Sequence, residues 1–185
     1  MKETEIKMEY DPSCREQLLE RCKALGFRLE QQVWEEDLYY TPSWKNFLQT
    51  DEALRVRSVR PAQGEAVCRI TYKGPNQVEG IHAREELETQ VEDGEILKTI
   101  LERLAFQPLA AVRKQRDYYV RENVHICVDQ VEGLGSYFEV EQLGEAEPGA
   151  VKALADSLHI PGARVEPRTY LEMILRGKGG AGHGG

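Results

Sequence analysis

No stretch of this chain approaches the ~18 to 20 consecutive apolar residues that a bilayer-spanning helix needs. The N-terminal run Met-Lys-Glu-Thr-Glu-Ile-Lys also lacks the apolar segment of a secretory signal. A soluble cytoplasmic protein with no membrane partner is therefore expected. Positive charge is in deficit too: 24 basic residues against 32 acidic ones give a formal charge of −8, which removes any general attraction to duplex phosphate or anionic lipid. No nucleic-acid partner is expected, and an anionic ligand would have to be held by a local basic cluster. The four cysteines, Cys14, Cys22, Cys68 and Cys127, include no Cys-x-x-Cys pair and have no histidine at zinc spacing. Reduced thiols follow, rather than a disulfide framework. No Ser-His-Asp or Cys-His arrangement is legible, and there is no internal repeat of solenoid period.

What the chain does have is enough apolar residues for a core, 41%, alongside 30% charged residues in 185 positions. One compact domain over residues 1–176 is expected, followed by a flexible glycine-rich tail at 177–185. Period-2 alternation marks strands at Glu3 to Met8, Leu54 to Val59, Ala66 to Tyr72, Ile81 to Val91, Val112 to Val120, Val124 to Val131 and Tyr137 to Gln142, with an aromatic-rich extended stretch from Phe27 to Tyr40. Helical spacing marks Asp11 to Leu25 and Asp93 to Ala105, with closing helices at Pro148 to Leu158 and Arg168 to Leu175. The fold class read from this order is α+β, mainly antiparallel β: an eight-stranded closed barrel with flanking helices, since closure removes exposed strand edges.

Charge is distributed along these strands in an unusual way. Residues two apart share one face of a strand, so Glu3, Glu5 and Lys7 lie together, as do Arg55 and Arg57, Arg84, Glu86 and Glu88, Lys114 and Arg116, and Glu139 and Glu141. Taken strand by strand, each set reads as a solvated outer face. Two features favour the opposite reading. The intervening positions (Thr4, Ile6, Leu54, Val56, Leu87, Val140) are mostly apolar and suited to packing outward beneath the amphipathic helices. The signs also fall in blocks, carboxylates on some strands and guanidinium or ammonium groups on others, so that closure would set an acidic wall against a basic one. Mg²⁺ and Mn²⁺ favour oxygen ligands and commonly bridge to substrate phosphates. A triphosphate carries roughly four negative charges near neutral pH, which arginine forks and lysine ammonium groups complement. Phosphoryl and nucleotidyl transfer ask a protein chiefly for positioning and charge neutralisation.

Glu3-Thr-Glu-Ile-Lys7, Leu54-Arg-Val-Arg57, Thr71-Tyr-Lys73-Gly-Pro, Arg84-Glu-Glu86-Leu-Glu88, Lys114-Gln-Arg116, and Val128-Asp129-Gln-Val-Glu-Gly-Leu-Gly135 followed by Glu139-Val-Glu141 occur in this order. Together they resemble the CYTH family, also called triphosphate tunnel metalloenzymes, which includes class IV adenylate cyclases, thiamine triphosphatases and inorganic triphosphatases. The resemblance implies an eight-stranded antiparallel tunnel that takes a small-molecule triphosphate (ATP, tripolyphosphate or thiamine triphosphate) with Mg²⁺ or Mn²⁺ as cofactor, in a monomer or homodimer. Carried over by position, Glu3, Glu5, Glu139 and Glu141 resemble the metal-side carboxylates, with Glu86, Glu88 and Asp129 as further acidic candidates. Glu5, Glu139 and Glu141 are the implied catalytic set. Lys7, Arg55, Arg57, Lys73, Lys114 and Arg116 resemble the phosphate-binding set, and Arg84 either joins them or forms a salt bridge with a neighbouring glutamate. The runs Lys114-Gln-Arg116-Asp-Tyr-Tyr, Val124-His-Ile-Cys-Val-Asp129 and Glu166-Pro-Arg168-Thr-Tyr170 look most like the adenylate cyclase branch, whose reaction converts ATP to cyclic AMP and pyrophosphate. Triphosphate hydrolysis in the same tunnel, and a binding module without turnover, are the alternatives. His125, His82, Trp34, Tyr39 and Tyr40, and the segment Thr41 to Gln49, stand outside this set as candidates for base contact, stacking, a lid or a dimer contact.

Overall fold

The computed structural model describes residues 2–75, 82–144, 147 and 149–180, with only the backbone described at residues 2, 3, 82–84 and 178–180. The chain runs β1 (Lys2–Glu9), α1 (Arg15–Ala24), β2 (Arg28–Pro42), β3 (Ala53–Pro61), β4 (Val67–Lys73), β5 (His82–Val91), α2 (Gly94–Arg103), β6 (Phe106–Arg121), β7 (Val124–Val131), β8 (Gly135–Leu143), α3 (Ala150–Ser157), β9 (Arg164–Val165) and α4 (Tyr170–Gly180). All strand pairs are antiparallel, in the order β5-β4-β3-β2-β6-β7-β8-β1-β9. Short connections explain much of this order, because hairpins place sequential strands side by side.

An eight-stranded closed barrel is not what forms. The sheet has nine strands, in an order that begins at β5 and finishes at β9, with a further pairing between β5 and β1. β5 and β9 lie along the same edge of β1: β5 pairs from Lys2↔Glu85 to Glu5↔His82, and β9 pairs at Met8↔Val165 and Glu9↔Arg164. A two-residue strand leaves no periodicity to read, which is why β9 escapes the sequence. The strand expected from Val112 instead begins at Phe106, directly after α2, because β2 is long enough to ladder onto it. Pro108 is tolerated there beside the register shift between Tyr39 and Tyr40, where the ladder is already irregular. The tail expected to begin at Gly177 is still helical to Gly180.

Local chemistry fixes the helix starts. Asp11 accepts from the Ser13 amide at 2.8 Å and opens the short 3₁₀ turn Pro12–Cys14 that leads into α1. Asp93 accepts from the amides of Glu95 and Ile96 at 3.0 and 2.9 Å, capping α2. Gly94 is required at that cap by space: a Cβ there would come within 2.6 Å of the Cys68 sulfur on β4.

Apolar residues collect mainly on the outside of the sheet. Ile6, Met8, Ile126, Phe138 and Val140 pack against Leu18 and Cys22 of α1 and Val151 and Ala155 of α3. Leu54, Val56 and Tyr40 pack under Leu97 and Leu101 of α2. The third cluster breaks the pattern. Val112, Val131 and Tyr137 share parity with Lys114, Asp129 and Glu139, and they meet Tyr170 and Met173 of α4, so this helix covers inward positions near one end of the sheet. All four cysteines are free, and among the described residues no helix is long and apolar enough to cross a membrane.

Candidate active site

Residues of eight strands, β1 to β8, surround a cavity of about 920 Å³ whose walls carry many ionic side chains. Each charged residue arrives by the two-residue period of its strand. Register then decides its neighbours: Glu5 stands opposite Glu141 and Lys7 opposite Glu139 across β1 and β8, while Arg57 stands opposite Asp37 across β3 and β2. Lys7, Lys114 and Arg116 keep only 4%, 3% and 4% of their surface exposed, a degree of burial that charged groups tolerate only with partners.

The partners are present. Lys7 Nζ lies 3.2 Å from Glu139 Oε1 and donates to the Arg168 carbonyl at 3.2 Å. Arg116 donates from Nε and Nη2 to the two Asp129 oxygens at 2.6 and 2.5 Å, from Nη2 to Glu139 as well, and sits 3.5 Å from Glu141 through Nη1. On the other side, Arg57 forks onto Asp37 at 2.5 and 2.7 Å, and Lys114 lies between Glu35 at 3.1 Å and Asp37 at 3.4 Å. Arg55 is held more loosely. It donates from Nη2 to Thr71 at 3.2 Å and approaches Asp37 and Glu88 at 3.8 and 3.6 Å, and its buried Nε has no hydrogen-bond partner.

An acidic wall facing a basic wall is therefore not what these residues build. Acids and bases alternate around the cavity, because Glu35 and Asp37 of β2 stand between the cations of β3 and β6. Of the expected metal-side carboxylates, Glu5, Glu139 and Glu141 converge, with one oxygen from each within 4.8 Å of the others. Glu86 is ion-paired to Lys73, and Glu88 accepts from Thr71 at 2.7 Å and lies near Arg55 and Arg69, so neither belongs to the converging trio. Asp129 is held by Arg116 and by the Tyr170 hydroxyl, which donates to its Oδ2 at 2.7 Å. The side chains of Glu3, Arg84 and His82 lie outside the described residues. His125 lines the cavity with Nδ1 3.9 Å from Glu141, and Tyr39 also faces it, while Tyr40 belongs to the outer core and Trp34 lies under Arg60.

Electrostatics follow from this pairing. Burial alone would lower the Lys7 ammonium, but Glu139 and Glu5 outweigh it and hold it above its ordinary value. Burial would raise the Glu139 carboxyl, and Arg116, Lys7 and Lys114 reverse that and hold it below the usual carboxylate range. Glu35 is likewise brought down to about 2, burial being outweighed by Arg57, Lys114 and Arg116, and Asp37 is held well below its usual value by Arg57 and Lys114 against the same burial cost. These carboxylates are ionised throughout the neutral range.

Glu35, Asp37, Thr71, Tyr118 and Tyr170 belong to the site without having been given a role from the sequence. Tyr118 donates to Glu35 Oε1 at 2.8 Å. Glu35 and Asp37 obey the same two-residue rule as the other pairs. Tyr170 opens a helix and carries no strand signal.

An antiparallel sheet wrapped around an ionic lumen thus gathers three carboxylates beside buried arginines and lysines. The sequence matches the CYTH domain over residues 1–170, and the chain belongs to the CYTH family. It is 35% identical over 142 residues, 77% of each chain, to the "Putative adenylate cyclase MJ0240" of Methanocaldococcus jannaschii. The solved structure of PH1819 from Pyrococcus horikoshii is 34% identical, with a TM-score of 0.82 over 95% of this chain and 99% of that one. HpAC1 from Hippeastrum, a "putative adenylyl cyclase" with a dominant triphosphatase activity, shares the fold at 22% identity, with a TM-score of 0.73 over 95% and 96% of the two chains.

Proposed function

We propose that this protein is a divalent-cation-dependent enzyme that threads a triphosphate through the ionic lumen and converts ATP to cyclic AMP and pyrophosphate. The observation that carries the triphosphate reading is the juxtaposition, in one cavity, of the Glu5, Glu139 and Glu141 carboxylates with Lys7, Arg55, Arg57, Lys114 and Arg116. The trio fits Mg²⁺ or Mn²⁺, since it offers hard oxygen donors near enough to share one ion. When bound there, the cation supplies charge neutralisation at the phosphate oxygens and Lewis-acid polarisation of the phosphorus centre.

The chain's own residues do the rest. The guanidinium groups of Arg57 and Arg116, each steadied from one edge by an aspartate, bind non-bridging oxygens, and Lys7 and Lys114 add compact charge. Arg55, with its unpartnered buried Nε, has a donor in reserve for an incoming anion. Burial excludes water and strengthens each of these contacts. In cyclisation the ribose 3′-oxygen forms a bond to the α-phosphorus, its proton leaves, and the bond to pyrophosphate breaks. Similarity to the M. jannaschii protein favours this outcome. A second reading, hydrolysis in which water attacks the terminal phosphorus, is favoured by the activity of the Hippeastrum protein on the same fold. Incubation of purified protein with Mn²⁺ and ATP, and separately with tripolyphosphate, tests both. Cyclic AMP with pyrophosphate supports cyclisation, orthophosphate alone supports hydrolysis, and no product from either overturns the enzymatic reading.

A further inference from the structure

Two cations of the phosphate-binding wall converge on a single aromatic side chain, and a third is linked to it through Asp129. Tyr170 opens α4 and is only 6% exposed. Its ring lies 4.2 Å beneath Lys7 Nζ and 5.4 Å from Lys114 Nζ, both within cation–π range. Its hydroxyl donates to Asp129, whose two oxygens in turn take the Arg116 fork. The tyrosine is itself fixed in place. The preceding segment is fastened to β1 by the Glu166 amide, which donates to the Lys7 carbonyl at 2.9 Å, and the Tyr170 ring packs edge-on against Tyr137 at 5.4 Å.

Asp129 accepts three hydrogen bonds in this arrangement. Oδ1 accepts from Arg116 Nε, Oδ2 accepts from both Arg116 Nη2 and Tyr170, the side chain does not border the cavity, and it is not one of the three converging carboxylates, although it shares Arg116 Nη2 with Glu139. Arg116 does border the cavity, so the guanidinium stands between Asp129 and any ligand. We propose that Tyr170 and Asp129 are positioning residues of the phosphate wall: Asp129 orients Arg116 and holds no metal, and Tyr170 locks Asp129 while its ring seats Lys7 and Lys114. Helix α4 thereby sets the spacing of the lumenal cations. Burial beside Asp129 keeps the Tyr170 hydroxyl well above its ordinary pKa, so it stays a donor across the working pH range.

This inference rests on the triphosphate reading of the lumen, and its test keeps the two apart. Tyr170→Phe retains the ring and removes the hydroxyl, and Asp129→Asn removes the charge of the fork. Tripolyphosphate binding is measured by calorimetry in metal-free buffer, and turnover is followed against both substrate and Mn²⁺. For Tyr170→Phe, the tripolyphosphate Kd and the KM should each rise about tenfold, the loss expected for one hydrogen bond to a charged group, while half-saturating Mn²⁺ stays within about twofold. Asp129→Asn should raise Kd and KM about a hundredfold, again with the Mn²⁺ requirement unmoved. Unchanged Kd in Tyr170→Phe overturns the proposal, as does a rise of about tenfold or more in half-saturating Mn²⁺ for Asp129→Asn, the signature of a metal ligand. Should Asp129→Asn fail to fold, Tyr170→Phe decides alone: equal loss of tripolyphosphate and Mn²⁺ affinity would mark a merely structural role and overturn it. A wild-type protein that neither binds nor turns over any triphosphate defeats the proposed function instead.

Discussion

The run Tyr-Phe-Glu-Val-Glu in β8 supplies two faces that are buried alike and built oppositely. Phe138 and Val140, both 0% exposed, point outward into the apolar layer beneath α1 and α3, whereas Glu139 and Glu141, 5% and 7% exposed, point inward to the lumen. The outer face is stabilised by removing apolar area from water, at ~25 cal/mol per Å². The inner face gains nothing from burial itself. Its charges persist because each has found an opposite partner, and an arrangement of that cost points to a ligand or a reaction. Burial alone does not separate core from site in this protein; the chemical character of each face does.

Variants on the two faces should therefore fail differently. The largest effect is expected for Glu139→Gln, which takes a carboxylate from the trio and the partner from both Lys7 and Arg116: metal-dependent turnover should fall about a thousandfold or more, and thermal stability should fall with it. A variant as stable as the wild type would show that the ion pairs are not what holds the lumen. One position along, Phe138→Ala should cost ~3 to 5 kcal/mol of unfolding free energy, read from denaturant melts, while the remaining folded protein keeps its tripolyphosphate affinity. Arg57→Ala should raise the KM for the triphosphate about 10- to 100-fold with little change in the Mn²⁺ requirement.

Acid should act on the inner face first. Glu35 is held at about 2 against an ordinary 4.5, with Glu139 and Asp37 also lowered, so their contribution is complete above pH 4.5 and is lost as pH falls through the folded values. Melting temperature should fall progressively from about pH 4.5 toward pH 2, and a profile level over that range would contradict the ion pairing. The smallest effect is expected for Ile100→Ser on the exposed side of α2, 49% accessible, where stability should stay within ~0.5 kcal/mol and affinity should not move.

Much of this contrast is legible in the sequence, because i, i+2 pairing in β1, β3, β6 and β8 announces a charged face and the intervening aliphatics announce an apolar one. Glu35 and Asp37 follow the same rule and are hidden by Glu36, which puts charge on the outward face as well, where it accepts from Arg113 at 2.6 Å. Without them the lumen reads as two walls of opposite sign; with them it is a lattice of neutralised pairs. Asp129 shows the limit of parity, which gives the face but not the neighbour: Arg116 claims it by cross-strand register and Tyr170 by a contact 41 residues distant along the chain. Tyr170 itself begins a helix and reaches inward only because the chain before it is fastened to β1, a long-range event with no local signal. The ninth strand was unreadable for a plainer reason, having two residues.

The most direct test is a crystal structure of the protein grown with tripolyphosphate and Mn²⁺. The phosphate chain should lie inside the sheet, in contact with Arg55, Arg57, Lys114 and Arg116, with Mn²⁺ on Glu5, Glu139 and Glu141 and Asp129 still clamped to Arg116. Phosphate bound only at the outer surface, with the lumenal ion pairs undisturbed, would contradict the assignment of the ionic interior as the substrate site.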